Sequence, residues 1–469
     1  MNKIDFKNLN IKVLFQSKVT GNIIILISAI VLIYLVGAIY FASHFFFNTE
    51  INGIDVSLKS HKEVYALIKS GVKGYRLTLI ERDGVKEEVI GQAIELKYND
   101  KNSYFEVCKD INTFKWGISL FKKQKCYVED LFTYNKGNLE NKINRLGCLN
   151  KEIIEPKDVS FIYTNGSYEA VKEVYGNKIN KVNLEKAIEK SILRGETTLN
   201  LNESRCYDNP KYTLNSDITT KTKQLLNKYI SSRIIYLFGD KNEVLDSDTI
   251  NKWLSVDDKL EVVVNEKALK EYVNALSKKY DTIGISRKFK TSVGKTLEVS
   301  GGFYGWKINR EAEAKKLLDT IKLGRALEIE PIYSQKGVTR GENDIGNTYV
   351  EINITQQHLW FYKNGKLVTQ GDVVTGNPNR GNSTSLGIYM LNYKQKGSTL
   401  RGEDYESDVT YWMPFNGNIG IHDASWRYSF GGDIYKSNGT HGCVNCPIYL
   451  AKTIFENIEP GTPIICYEE

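Results

Sequence analysis

The sequence predicts a multidomain chain: a single N-terminal transmembrane helix, α+β repeat modules in the middle, and a mainly-β, sandwich-like domain at the C-terminus. Three observations predict it. One long apolar run near the N-terminus carries no charge, two matching segments lie 129 residues apart, and alternating strands near the C-terminus lead into a dense Thr-His-Gly-Cys cluster. At 469 residues the chain is about three times the ~150 residues of an ordinary domain. With 41% hydrophobic and 25% charged residues it has the composition of a folded protein, which excludes wholesale disorder. The balance of 63 Lys+Arg against 56 Asp+Glu leaves +7, too little for a committed nucleic-acid binder, so no nucleic-acid partner is expected. That mild excess is compatible with a weak pull toward an anionic membrane or wall polymer.

The first element is the anchor. Ile23 to Phe47 contain no Asp, Glu, Lys or Arg, and about 25 residues at 1.5 Å rise cover a ~30 Å hydrocarbon layer with some tilt to spare. Lys3, Lys7, Lys12 and Lys18 precede the run against a single Asp5, and Glu50 and Asp55 follow it. The positive-inside rule then puts residues 1–22 in the cytoplasm, residues 23–47 across the cytoplasmic membrane, and the rest outside. A cleaved signal peptide fits less well, because the run is longer than an h-region and ends in aromatics without a small-residue cleavage site.

Residues 48–346 form the extracellular middle. Strand-like runs such as Tyr75–Glu81 and Lys259–Val264 alternate with helical ones such as Asn183–Leu193 and Glu311–Ile321. The hexads Tyr175–Asn180 and Tyr304–Asn309 match, as do Gly195 and Gly324 beyond them. Each copy reads as a strand, a Tyr-Gly turn, one amphipathic helix, a glycine cap and a returning strand, giving paired α+β modules. The four cysteines here, Cys108, Cys126, Cys148 and Cys206, lack metal-ligand spacing. Buried thiols are the first expectation and a structural disulfide the second.

Residues 347–469 hold the chemistry. Tyr349–Thr355, His358–Tyr362 and Leu367–Thr375 alternate apolar and polar residues, with Asn364-Gly365 as a hairpin turn. The dense cluster is Thr440-His441-Gly442-Cys443-Val444-Asn445-Cys446. A thiol flanked by imidazole suits a nucleophile whose pKa is brought into the working range. Gly442 lets a substrate carbonyl approach backbone amides, and a helix after Pro447 would aim its positive end at Cys443. Two rivals share these residues. Cys443 and Cys446 could form a thioredoxin-like redox pair, though alternating strands are the wrong setting for one. A zinc site could use His441, Cys443, Cys446 and His422, though their spacing is uncommon. With neither rival adopted, no metal or cofactor is expected.

Ile421-His422, followed after 17 intervening residues by Thr440-His441-Gly442-Cys443-Val444-Asn445, resembles the signature of L,D-transpeptidases, the YkuD-like catalytic domain. Val374-Thr375-Gly376 and Thr384-Ser385-Leu386-Gly387 agree with it, with Ser385 where the family usually has Pro. The start Asn48–Ser57 and the repeated hexads are similar to the peptidoglycan-binding modules found between a membrane anchor and a wall-active enzyme in Gram-positive bacteria, and a folded spacer that holds the next domain away from the membrane is the other reading of residues 48–346. The resemblance implies a peptidoglycan L,D-transpeptidase in which Cys443 attacks a donor stem tetrapeptide, releases D-Ala, and passes the acyl group to a diamino acid as a 3→3 cross-link. Water as acceptor would give L,D-carboxypeptidase trimming, and a wall-binding anchor without turnover is the reading from a different class. Carried over, His422 is the base, the backbone carbonyl of Asp423 orients it, and His441 organises the site. Gly442 and Cys443 amides form the oxyanion hole, while Thr440 and Asn445 hold the loop and the donor stem. Residues 394–412 correspond to a lid, so Tyr411, Trp412 and Trp426 are expected to wall the cleft. Acylation by carbapenems is a further implication. Cys446 departs from most relatives, and its oxidation to Cys443 would silence the enzyme.

Overall fold

The computed structural model describes residues 18–100, 112–341, 343–402 and 405–469. Two compact units emerge, Met1–Ser160 with Val171–Leu214 and Phe161–Ala170 with Asn215–Glu469. Cys108 and the tail residues Lys3, Asp5, Lys7 and Lys12 lie outside the described residues.

In the first unit, helix α1 (Lys18–Tyr40) includes a 20-residue stretch, Gly21–Tyr40, long and apolar enough to cross a membrane. The helix ends seven residues before the apolar run does. The reason is packing: the Phe45 amide bonds the Lys59 carbonyl at 3.0 Å and the Phe45 ring enters the core of the first module. That module centres on strand Arg76–Ile80, antiparallel to Lys86–Ile90 and parallel to the returning strand Thr198–Asn200. Helix α2 (Lys181–Arg194) covers it with Leu184, Ile188 and Ile192, which recur every four residues. Cys148 and Cys206 are buried in the same core as free thiols, and burial pushes them up to about 12 and about 11.

The second unit repeats the plan. Strand Arg233–Phe238 is antiparallel to Lys241–Leu245 and parallel to Ala326–Ile329. Helices α3 (Glu266–Tyr280) and α4 (Arg310–Leu323) pack beside it. The hexad that the sequence repeats is a helix start. Asn180 and Asn309 are the N-caps of α2 and α4, each accepting the amide three residues on at 3.1 Å. Gly195 and Gly324 end those helices at φ 70° and 68°. The Tyr-Gly turns need glycine for room, since a Cβ on Gly176 would stand 2.1 Å from the Ile154 carbonyl oxygen and one on Gly305 2.4 Å from that of Thr282.

The C-terminal domain has two sheets. One orders its strands β3-β2-β1-β9-β4: β1 (Tyr349–Asn353), β2 (His358–Lys363), β3 (Lys366–Asp372), β4 (Gly387–Met390) and β9 (Pro463–Tyr467). The other runs β5-β6-β7-β8: β5 (Gln395–Gly402), β6 (Tyr405–Asn416), β7 (Ile419–Asp423) and β8 (Val444–Cys446). Val350, Ile352, Leu359 and Phe361 from the first meet Met413, Phe415, Ile421 and Val444 from the second. Leu450, Ala451 and Ile454 of helix α5 (Ile448–Asn457) complete this core. The sheet-on-sheet arrangement matches the sandwich-like expectation.

No gap in the structure falls at residue 347. Phe289, Val299, Tyr304 and Ile345 share a cluster with Ile388, Ile465 and Tyr467, and Tyr304 N–H donates to the Ile388 carbonyl at 3.0 Å. The approach there is so close that a Cβ on Gly302 would lie 2.0 Å from the Ile388 oxygen. Buried Arg287 grips Asp344 through Nε at 2.6 Å and Nη2 at 2.7 Å, a bidentate pair in the segment joining the second module to β1.

Candidate active site

The site is built on the middle of the four-stranded sheet. Trp412 of β6 lies opposite His422 of β7, and His422 lies opposite Asn445 of the parallel neighbour β8. Directly opposed residues share a face, so these three form a row. Cys443, two residues before Asn445, falls on that face diagonal to His422. The Cys443 thiol itself donates to the Asn418 carbonyl at 3.6 Å.

Burial sets the electrostatics. His422 is 3% exposed and Cys443 7%, the latter packed against Val409, Trp412 and Leu400. Nδ1 of His422 lies 2.8 Å from the Asp423 carbonyl oxygen. A carbonyl can only accept, so Nδ1 carries the proton and Nε2 is left with the free lone pair. Burial holds the imidazole below its ordinary pKa, outweighing the Asp423 carbonyl bond, and pushes the Cys443 thiol up to about 11. The resting pair is therefore neutral thiol and neutral imidazole. This corrects the expectation of a thiol whose pKa the imidazole lowers. The helix expectation is corrected too: extended β8 and Pro447 put five residue steps, up to about 16 Å, between Cys443 and the start of α5, beyond the first-turn reach of its dipole.

The loop before Cys443 is pinned from two sides. Thr440 Oγ1 donates to the Cys443 carbonyl at 2.6 Å and accepts from Gly442 N–H at 3.0 Å. Thr384 Oγ1 donates to the Gly442 carbonyl at 2.7 Å and accepts from Gly376 N–H at 2.9 Å. Gly442 sits at φ +114°, a backbone that L side chains rarely adopt. Its amide is occupied by Thr440, so of the two expected oxyanion donors Gly442 is not open and Cys443 remains the candidate.

Other expected positions divide. Trp412 is buried against Cys443, and half-exposed Trp426 has its ring 6.1 Å from that of His422. Tyr411 does not wall the cleft. Strand alternation turns it to the opposite face, where it packs on Phe455 at 5.2 Å. Asp423 offers its carbonyl as expected, but its buried carboxylate also accepts the Thr410 and Tyr411 amides at 2.9 and 2.7 Å. His441 is exposed on the turn, outside the buried row. Cys446, three positions from Cys443, points into the core beside Met413 and Ile454. On opposite faces of the sheet the two sulfurs form neither a redox pair nor half of a zinc site.

Sequence reasoning missed three residues. A Cβ on Gly420 would lie 2.7 Å from Trp412 Cζ3, so glycine is what lets the indole lie over β7 toward Cys443. Thr384 stood inside a matching segment, but only the fold shows its tether to Gly442. Arg427 is half-buried near His422, and its buried Nε has no hydrogen-bond partner among the described residues. The cavity of about 590 Å³ between α3 and α4, lined by Leu269, Lys270, Arg310 and Leu318, lies apart from this site.

The comparisons converge on one assignment. A family profile described as the L,D-transpeptidase catalytic domain matches residues 347–466, and one described as "Putative peptidoglycan binding domain" matches 87–200 and 219–330. The crystal structure of a cysteine-to-serine mutant of Enterococcus faecium L,D-transpeptidase is 32% identical, covering 52% of this chain and 98% of its own, with a TM-score of 0.44. The chain belongs to the L,D-transpeptidase family. Similar figures hold for an avibactam carbamoyl enzyme structure, 32% identical over 54% of this chain and 99% of the other, TM-score 0.45. The catalytic domain of the Enterococcus faecium enzyme acylated by ertapenem is 39% identical, covering 26% of this chain and 98% of its own, TM-score 0.25. No curated protein matches the chain. Within this L,D-transpeptidase the catalytic-domain match starts at 347, although the core continues upstream of it.

Proposed function

We propose that the chain is a peptidoglycan L,D-transpeptidase that forms 3→3 cross-links through a Cys443 thioester. The observation that carries this reading is the placement of Cys443 and a Nδ1-protonated His422 on one buried face of adjacent parallel strands. In the first half-reaction His422 Nε2 takes the thiol proton as sulfur attacks the carbonyl of stem residue 3. The C–N bond to D-Ala breaks, and the imidazolium returns the proton to the departing amine. In the second, the side-chain amine of a diamino acid on another stem attacks the thioester, its proton passes to His422, and the thiol re-forms. The Cys443 amide stabilises the oxyanion of both intermediates.

The hairpin β5–β6 acts as the lid, with Leu400, Val409 and Trp412 resting on the sulfur. It lifts to admit the donor and, once closed, keeps water from the thioester, which favours an amine over hydrolysis. Trp426 and Asn445 line the donor path, His441 stands at its rim, and Arg427 offers an uncompensated cation to a stem carboxylate. The two modules bind peptidoglycan, and α1 holds the chain in the cytoplasmic membrane with its catalytic domain outside, facing the wall.

The test mixes the full chain with a disaccharide-tetrapeptide and seeks a dimer of mass 2M minus D-Ala. Cys443→Ala is expected to abolish it. Dimer formation by that variant refutes the mechanism, and release of D-Ala without dimer converts the reading to a carboxypeptidase.

A further inference from the structure

A short segment of the first module is built onto the apolar helix itself. The turn Thr113–Lys115 runs into Trp116–Ser119 and lies along α1. Trp116 Nε1 donates to the Tyr34 carbonyl at 3.1 Å, and the Tyr34 hydroxyl donates to the Phe114 carbonyl. The indole sits 5.5 Å from the Tyr34 ring and 5.6 Å from that of Phe41. Between those residues lies Gly37, where a Cβ would stand 2.6 Å from Trp116 Cε2. Tyr34, Gly37 and Phe41 occupy one helix face, so the indole lies in a notch that only glycine leaves open. Tyr34 is six residues before the helix end, about 9 Å back along the axis.

The other side of this segment is unlike a solvated loop. Phe114, Ile118 and Leu120 are about half exposed and Phe121 is 92% exposed, four large apolar residues within eight positions. Exposed Lys122 and Lys125 follow directly, with Lys123 paired to Glu50 at 3.2 Å. Aromatic and apolar side chains level with the end of an apolar helix, followed by lysines, are the pattern of a bilayer interface.

We propose that Thr113–Phe121 is a second membrane contact, a wedge beside the end of α1 with its apolar side chains among the acyl chains and its lysines at anionic headgroups. The occupant is lipid because the patch is continuous with the exposed surface of α1, whose stretch Gly21–Tyr40 is long and apolar enough to cross a membrane. The consequence is orientation: a single helix lets a module swivel, whereas two attachments fix which side of it faces the membrane. This rests on α1 being a membrane span.

The experiment places a benzophenone photocrosslinker at position 121, and separately at position 32 within α1, in the full chain reconstituted into bilayers of phosphatidylcholine and phosphatidylglycerol. Phospholipid adducts at both positions are expected. The double variant Ile118→Glu with Leu120→Glu, at exposed sites that leave the core intact, should cut the adduct at 121 at least fivefold and leave that at 32 unchanged. An adduct at 32 with none at 121 overturns the proposal while sparing the anchor. Absence at both removes the anchor reading and the proposal together. Crosslinks from 121 to a second copy of the chain assign the patch to self-association instead and also overturn it.

Discussion

The neutral resting pair at the active site makes a quantitative demand on thiol chemistry. With its pKa pushed up to about 11, Cys443 at pH 7 is thiolate in only about one molecule in ten thousand. An ordinary cysteine near 8.5 is thiolate at about 3%, roughly 300-fold more. Iodoacetamide alkylation of Cys443, followed by mass spectrometry of its peptide, should rise about tenfold per pH unit from 7 to 10 without levelling. The slope is independent of how far the lid slows access, because steric hindrance scales every point alike. His422→Ala should change that alkylation rate by less than threefold, since no imidazolium sustains the thiolate at rest, yet it should abolish acylation by a carbapenem. A plateau between pH 6 and 8, or a tenfold fall in alkylation on losing His422, would mean a preformed thiolate–imidazolium pair and refute the reasoning. The same burial fixes a sign for stability. A histidine whose folded pKa is depressed stabilises the fold above its unfolded pKa, and that contribution is lost as pH falls through about 6.5 and below.

Gly420→Ala forces the Trp412 indole off β7; overpacking of this kind costs about 1–3 kcal/mol, and thermal melting together with carbapenem acylation should show lower stability and slower acylation. Arg287→Ala strands a buried Asp344 carboxylate and should destabilise the second unit by about 3–5 kcal/mol in chemical denaturation, with Arg287→Lys recovering only part because it cannot form the bidentate pair. Arg427→Gln should raise KM for a tetrapeptide donor about tenfold with little change in kcat, while Arg427→Lys restores much of the loss; an unchanged KM in Gln removes Arg427 from donor binding.

The architecture was legible wherever a local signal had one physical meaning. Asn and Gly at the two ends of the repeated helices can do little but cap them, and the Cys443 motif with His422 upstream marked the two strands that meet. What the text hid was pairing. Tyr411 and Trp412 are neighbours in sequence and equally aromatic, and only the register with His422 decides that one faces the thiol and the other the core. Cys446 looked like a partner for Cys443 on spacing alone, yet three steps along extended backbone reverse the side. The pKa shifts were equally hidden, because they follow from what covers the pair: Leu400, Val409 and Trp412 arrive from a hairpin whose fold over the site no motif announces. Arg427 carried no signal beyond its charge.

The shared packing around Tyr304, Ile388 and Ile465 ties the second repeat to the five-stranded sheet, which the core shared by both sheets joins in turn to the strands beside the sulfur. On the proposed function, a polymer bound by that repeat would meet the nucleophile at one set angle and reach, like work clamped in a jig. Under the proposed cross-linking reaction, new bridges would then fall at a regular spacing dictated by the protein's own dimensions rather than wherever two stems happen to collide.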